Sequence, residues 1–170
     1  MRQAALLRGV NLGRRTVIMS RLRQVCEAAG FSEVETLIAS GNLVLKSKLK
    51  GAKLEHKLEA AILEGLALET DVFVRDAAAL KAIVAANPFK AFAKTRPSFL
   101  VVDFMRGPAS SAELEAMRKT ALTGEEWKQG RACLYIKFPK GQGASKLRLP
   151  KLGASRNWNT VTKLAAMAAA

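Results

Sequence analysis

The sequence predicts an α+β protein built from two halves. Three observations carry the prediction: apolar runs of strand length alternate with stretches of helical period, turn residues stand between paired runs, and the same order begins again past the middle of the chain. The first half, residues 1–76, reads as a ferredoxin-like βαββαβ unit. The second, residues 77–170, reads as a similar α+β half with a C-terminal helix, and the sheets are mainly antiparallel.

"RQAALLRGV" is a short buried strand ending at Gly9. "MSRLRQVCEAAG" then places Met19, Leu22, Val25, Cys26 and Ala29 on one helical stripe closed by Gly30. "VETLIAS" and "NLVLKSK" are apolar runs separated by Ser40, Gly41 and Asn42, which is hairpin chemistry. "KLEHKLEAAILEGL" puts Leu54, Leu58, Ala61 and Ile62 on one face, with Glu55, Lys57, Glu59 and Glu64 mostly on the other, and "TDVFVRD" is the closing strand.

The second half opens with a helix through Leu80, Ile83 and Val84, ended by Asn87 and Pro88. "SFLVVDFM" is a strand. "SSAELEAMRKTAL" is a helix in which Ser110 and Glu113 have capping-box spacing. "EEWKQG" and "RACLYIKFP" form a second hairpin, and "KGQGASKLRLPKLG" is a basic connection. The final helix carries Val161, Leu164, Ala165 and Ala168 on one face, and its start is expected to be capped by Asn157, Asn159 or Thr160.

The 170 residues suffice for a sizeable core without disulfides or metals. No apolar run reaches the roughly 20 residues of a membrane span, and the N-terminus has too short an apolar stretch for a signal peptide. A cytoplasmic protein with no membrane role is expected. Cys26 and Cys133 sit in apolar patterns as buried thiols, and with a single histidine no zinc site of ordinary ligand count assembles, so neither metal nor cofactor is expected.

The net charge of +14 points to polyanionic partners. After Glu126 no acidic side chain follows, while nine lysines and arginines do. "LLRGVNLGRRT" joins the first strand to the first helix, with Gly9 and Gly13 freeing backbone N–H groups and Arg8, Arg14 and Arg15 supplying charge. It matches neither the Walker spacing nor GxGxxG. Near the end, Arg156 precedes a helix N-terminus, a place that favours an anion or carboxylate partner. Asp103, within an apolar strand, needs a cationic partner such as Arg8 or Arg156.

His56 falls on the polar side of its helix, so Ser40 lacks a base and triad hydrolysis is a poor fit. The first and third strand runs hold no aromatic residue, so the stacking surface of an RNA-recognition sheet is missing. Trp127, Trp158 and Tyr135 remain as isolated stacking candidates.

"ALLRGVNLG", a methionine opening the first helix, "SGN", "NPF" at Asn87–Phe89 and "SRNWNTVTKL" together resemble the domain of unknown function 1697 family, over essentially the whole chain from Ala5 to Leu164. The pattern carries over at Leu6, Leu7, Arg8, Gly9, Asn11, Gly13, Met19, Ser40, Gly41, Asn42, Asn87, Pro88, Phe89, Arg156, Asn157, Trp158, Asn159 and Thr160. It departs at Arg14 and Arg15, where the family usually has glycine and lysine, and at Leu37 and Ala39, where it usually has an aromatic and a polar residue. The resemblance implies a bacterial, cytoplasmic protein of two ferredoxin-like halves and supplies no reaction.

The function expected from these residues is non-catalytic binding of a phosphate-bearing ligand, a nucleic acid or a nucleotide. Arg8, Arg14, Arg15 and Arg156 are the phosphate contacts. Asn11, Asn42, Asn157 and Asn159 orient the ligand, and the candidate site is completed by Gly9 and Gly13 of the loop after the first strand, Ser40 of the hairpin turn, and Trp158 and Thr160 at the start of the last helix. The alternatives are an enzyme acting on a small phosphorylated or nucleotide substrate, and a structural or partner-binding protein.

Overall fold

The computed structural model of the protein describes residues 1–10, 16–37 and 41–170. The first half contains β1 (Arg2–Leu7), α1 (Met19–Ala28), β2 (Ser32–Leu37), β3 (Asn42–Lys46), α2 (Gly51–Leu66) and β4 (Val72–Asp76). The strands form one antiparallel sheet in the order β2-β3-β1-β4, which is the expected ferredoxin-like arrangement. β1 stops two residues before Gly9, because Gly9 has φ 62 and leaves the extended path.

Register explains the core. Ala5 lies opposite Leu43 and Val74, and Leu7 opposite Val72, so these side chains share a face. They pack with Leu22 and Cys26 of α1 and Leu54, Leu58 and Ile62 of α2. Each fully buried leucine stabilises by about 1.5–3 kcal/mol. Ala4, Leu6, Val44 and Phe73, on the opposite face, are buried as well. That is why these strands read as continuous apolar runs rather than as alternation.

One expectation for α2 is corrected. Glu55 is buried, and its Oε1 accepts the Val74 N–H at 3.0 Å; Glu59 Oε1 accepts the Val72 N–H at 3.0 Å. β4 is an edge strand with N–H groups that no further strand accepts, and two carboxylates one helical turn apart take them.

The second half contains α3 (Ala77–Ala85), α4 (Lys90–Thr95), a 3-10 turn at Pro97–Phe99, and β5 (Leu100–Phe104). α5 (Ser111–Thr120), β6 (Glu126–Gly130), β7 (Cys133–Lys137), β8 (Ala154–Asn157) and α6 (Trp158–Ala169) follow. The sheet order is β6-β7-β5-β8, again antiparallel. The capping box is formed: Glu113 N–H donates to Ser110 Oγ at 3.1 Å, and Ser110 N–H donates to Glu113 Oε1 at 3.0 Å. Met117 of α5 packs on Val101, Leu134 and Ile136.

β8 corrects the sequence reading of residues 154–157 as part of the approach to the last helix. Four residues with three polar side chains give too short and too polar a pattern to announce a strand, yet they pair with Val101–Phe104 along their whole length. The chain forms two compact units, Met1–Lys81 with Leu164–Ala170, and Ala82–Lys163. The boundary therefore falls inside α3 and inside α6. In the first unit the tail is held by Arg2, whose Nε donates to the Met167 carbonyl at 3.2 Å while its Nη1 and Nη2 meet Glu33 and Glu35.

Candidate functional site

At the C-terminal end of β1, backbone hydrogen bonds bring two motif segments together. Leu7 N–H donates to the Gly41 carbonyl at 2.8 Å, and Arg8 N–H donates to the Asp71 carbonyl at 2.9 Å. Gly41 has φ 78, and a Cβ there would collide with Val10 Cγ2, so the turn requires glycine for both conformation and space. Asn42 is fully buried and its Nδ2 donates to the Leu37 carbonyl at 3.1 Å, which closes the hairpin from inside. Asn11, Gly13, Arg14, Arg15 and Ser40 lie outside the described residues.

Arg8 lines a pocket of about 470 Å³ with His56, Glu59, Glu69, Thr70 and Asp71. Its Nη1 stands 3.7 Å from Asp71 Oδ2, and Thr70 Oγ1 donates to its carbonyl at 2.8 Å. Three carboxylates against one arginine make this a poor place for a phosphate, which would compete with Asp71 for the guanidinium. His56 is exposed, as its helical position predicts. Among the described residues no group of three His, Cys, Asp or Glu side chains is placed to hold a metal ion.

In the second half, the motif around Arg156 divides into three environments. Asn157 Oδ1 accepts the Thr160 N–H at 3.1 Å, so Asn157 supplies the cap among the three residues expected to compete for it. Trp158 is half-buried, Asn159 exposed and Thr160 buried. Arg156 is 8% exposed and belongs to β8, with Nη1 donating to the Ser155 carbonyl at 2.9 Å. Burial pushes its pKa down to about 10, and the negative charge of Asp103 acts in the opposite direction. Asp103 is 1% exposed and accepts from Ser155 Oγ at 3.0 Å through Oδ1. Arg156 and Asp103 thus lie within the sheet structure rather than on an open surface.

A group that sequence reasoning missed surrounds α4. Asn87 is buried, and its Oδ1 accepts the Phe89 N–H at 2.9 Å, setting the turn into the helix. Phe89, Phe92 and Phe99 are each half-buried. Lys137 Nζ lies 5.6 Å from the Phe89 ring centroid and 5.1 Å from that of Phe92. The Arg96 guanidinium lies 4.6 Å from the Phe99 centroid, and its Nη1 donates to the Pro139 carbonyl at 2.9 Å. These separations suit cation–π contacts. Lys90, Lys94, Arg96 and Lys140 are exposed around the rings. The signal in the sequence is "PFKAFAKTRPSF", three phenylalanines interleaved with basic residues around two prolines, and it lies on a short helix and a turn rather than on the strands where an RNA-recognition sheet carries its rings. Tyr135 is buried, its hydroxyl donating to the Ile83 carbonyl at 2.6 Å, and presents no free ring face to solvent.

No helix among the described residues is long and apolar enough to cross a membrane. The family described as "Protein of unknown function (DUF1697)" matches over residues 1–135. Nothing among curated proteins matches the sequence. Among solved structures the chain is similar to the conserved bacterial protein SP0830 from Streptococcus pneumoniae, with a TM-score of 0.80 and 23% identity over 99% of this chain and 98% of that one. At that identity the likeness speaks for the two-half fold alone.

Proposed function

The chain belongs to the DUF1697 family of proteins of unknown function, and on that premise we propose that it binds a phosphate-bearing ligand without catalysis, a nucleic acid above all, through the basic surface of its second half. The observation that carries this reading is the distribution of charge. Residues 82–163 hold fifteen lysines and arginines against five carboxylates, a net +10 of the total +14. Many of those cations are exposed, among them Lys90, Lys94, Arg96, Lys140, Lys146, Arg148 and Lys151. A polyanion gains affinity there by releasing counterions.

The enzyme alternative is less well supported. Its substrate pocket would be the one beside Arg8, where Glu59, Glu69 and Asp71 repel a phosphate. Arg156 serves the binding reading only indirectly, because its guanidinium is buried and bonded to its own strand.

The test is an electrophoretic mobility shift with random-sequence DNA and RNA at rising salt. Binding that weakens with salt but persists at about 0.2 M is the expected result. No shift at low salt overturns the reading, and a shift already abolished by about 0.2 M reduces it to general basicity.

A further inference from the structure

We propose that the aromatic and basic group around α4 is a stacking platform for unpaired bases, so that the second half takes single-stranded nucleic acid in preference to duplex. The proposal rests on the nucleic-acid reading above and specifies the substrate class of that surface.

Three of the seven phenylalanines of the chain fall within eleven residues, Phe89 to Phe99, and none of them belongs to the buried core of the half. Partly exposed aromatic rings gathered in one place mark a contact surface more often than scattered single residues do. The anchoring of Phe99 is firm. The Phe138 N–H donates to the Phe99 carbonyl at 3.0 Å, Phe99 N–H donates to the Arg96 carbonyl at 3.0 Å, and the Phe99 ring edge lies against Gly141, where a Cβ would stand 3.2 Å from Cε1. A rigid ring loses little entropy when a base stacks on it.

The electrostatics select the occupant. From Ala82 to Val102 there is no carboxylate, while Lys90, Lys94 and Arg96 are exposed. Lys137 Nζ meets Glu126 Oε1 at 3.7 Å and lies beside the Phe89 and Phe92 rings. Flat apolar faces beside cations fit a chain whose bases are free to splay out and whose phosphates run alongside. A duplex hides its base faces in the stack and offers the platform only phosphates. Arg96, stacked on Phe99 and exposed, adds a guanidinium plane on which a base also stacks.

The experiment is fluorescence anisotropy with a labelled oligothymidine of about 12 nucleotides and a hairpin duplex of equal phosphate number, at about 50 mM salt. Wild type is compared with the triple variant Phe89→Leu, Phe92→Leu and Phe99→Leu, which keeps apolar volume and removes the ring faces. The expected result is tighter binding of the single strand by wild type and a loss of about tenfold or more in the triple variant, with duplex affinity unchanged. Should the triple variant fail to fold by circular dichroism, the single variants Phe92→Leu and Phe99→Leu, which leave the charge untouched, give the same comparison with smaller losses. Folded variants that bind oligothymidine as wild type does, or a wild type that binds duplex equally well, overturn the stacking platform and leave the charge-based reading standing. Absence of binding to either probe overturns both.

Discussion

Ser155 Oγ donates to Asp103 Oδ1 at 3.0 Å across the pairing of β5 with β8, and Gly153 closes over the same carboxylate. A Cβ at Gly153 would stand 2.5 Å from Oδ1 and 2.7 Å from Oδ2. The carboxylate is 1% exposed and its charge offsets the burial of Arg156. Ser155→Ala should therefore cost about 1–3 kcal/mol in urea unfolding. Asp103→Ala should cost more, about 3–5 kcal/mol, because it leaves a buried cation without that countercharge. Equal, small losses in both variants would mean the cluster is not coupled.

Gly65 of α2 sits where a Cβ would lie 2.6 Å from Val25 Cγ2 and 2.8 Å from Cγ1. On an exposed helix surface, glycine to alanine stabilises by about 1 kcal/mol. Here the steric term wins, since Val25 belongs to the facing helix α1 and overpacking costs about 1–3 kcal/mol. Gly65→Ala should lower Tm, and adding Val25→Ala should recover part of the loss. A Gly65→Ala variant more stable than wild type would show that α1 and α2 are not packed this closely.

Glu125 is buried, and burial alone would raise its pKa, yet hydrogen bonds from Thr123 and Ser145 bring it down to about 2. Its folded pKa lies below the ordinary carboxylate value near 4.5. The contribution to stability is thus complete above about pH 4.5 and is lost as pH falls towards 2. Chemical denaturation of wild type and Glu125→Gln should differ most at neutral pH, with the gap narrowing below about pH 4.5 and closing as pH falls to about 2. A gap that stays constant through that range would separate Glu125 from the acid sensitivity.

Cys26 is buried in the first-half core, and desolvation pushes its thiol up to about 12. Cys133 is buried as well. A thiol-reactive disulfide reagent at about pH 8 should label neither cysteine in the native protein within minutes, and both after denaturation. Rapid native labelling would reveal an opening of the core on that timescale.

The residues that declare the fold are those whose period matches their element. The helical stripe of Leu54, Leu58 and Ile62 and the Ser110–Glu113 box are readable because local chemistry and tertiary role agree. β8 is not, since three of its four residues are polar and its identity comes from pairing with β5, which is distant in the sequence. α4 is hidden by length: six residues between Pro88 and Pro97 give too little period to detect. The candidate site is partly legible for a similar reason. Asn157 can be named as one of three cap residues from its place before a helix. That Arg8 meets Asp71, and that Arg156 is buried, depend on strand neighbours no local pattern records.

The claim that the second half carries the binding surface is tested most directly by neutralising three exposed lysines in each half and measuring oligonucleotide affinity against salt. Lys90→Gln, Lys94→Gln and Lys140→Gln should flatten the slope of log Kd on log salt by about 2, as expected when three lysines cease to neutralise phosphates of a single strand. Lys48→Gln, Lys50→Gln and Lys53→Gln, equally exposed in the first half, should leave the slope close to wild type. Equal flattening by both sets, or none by the first, would contradict the account.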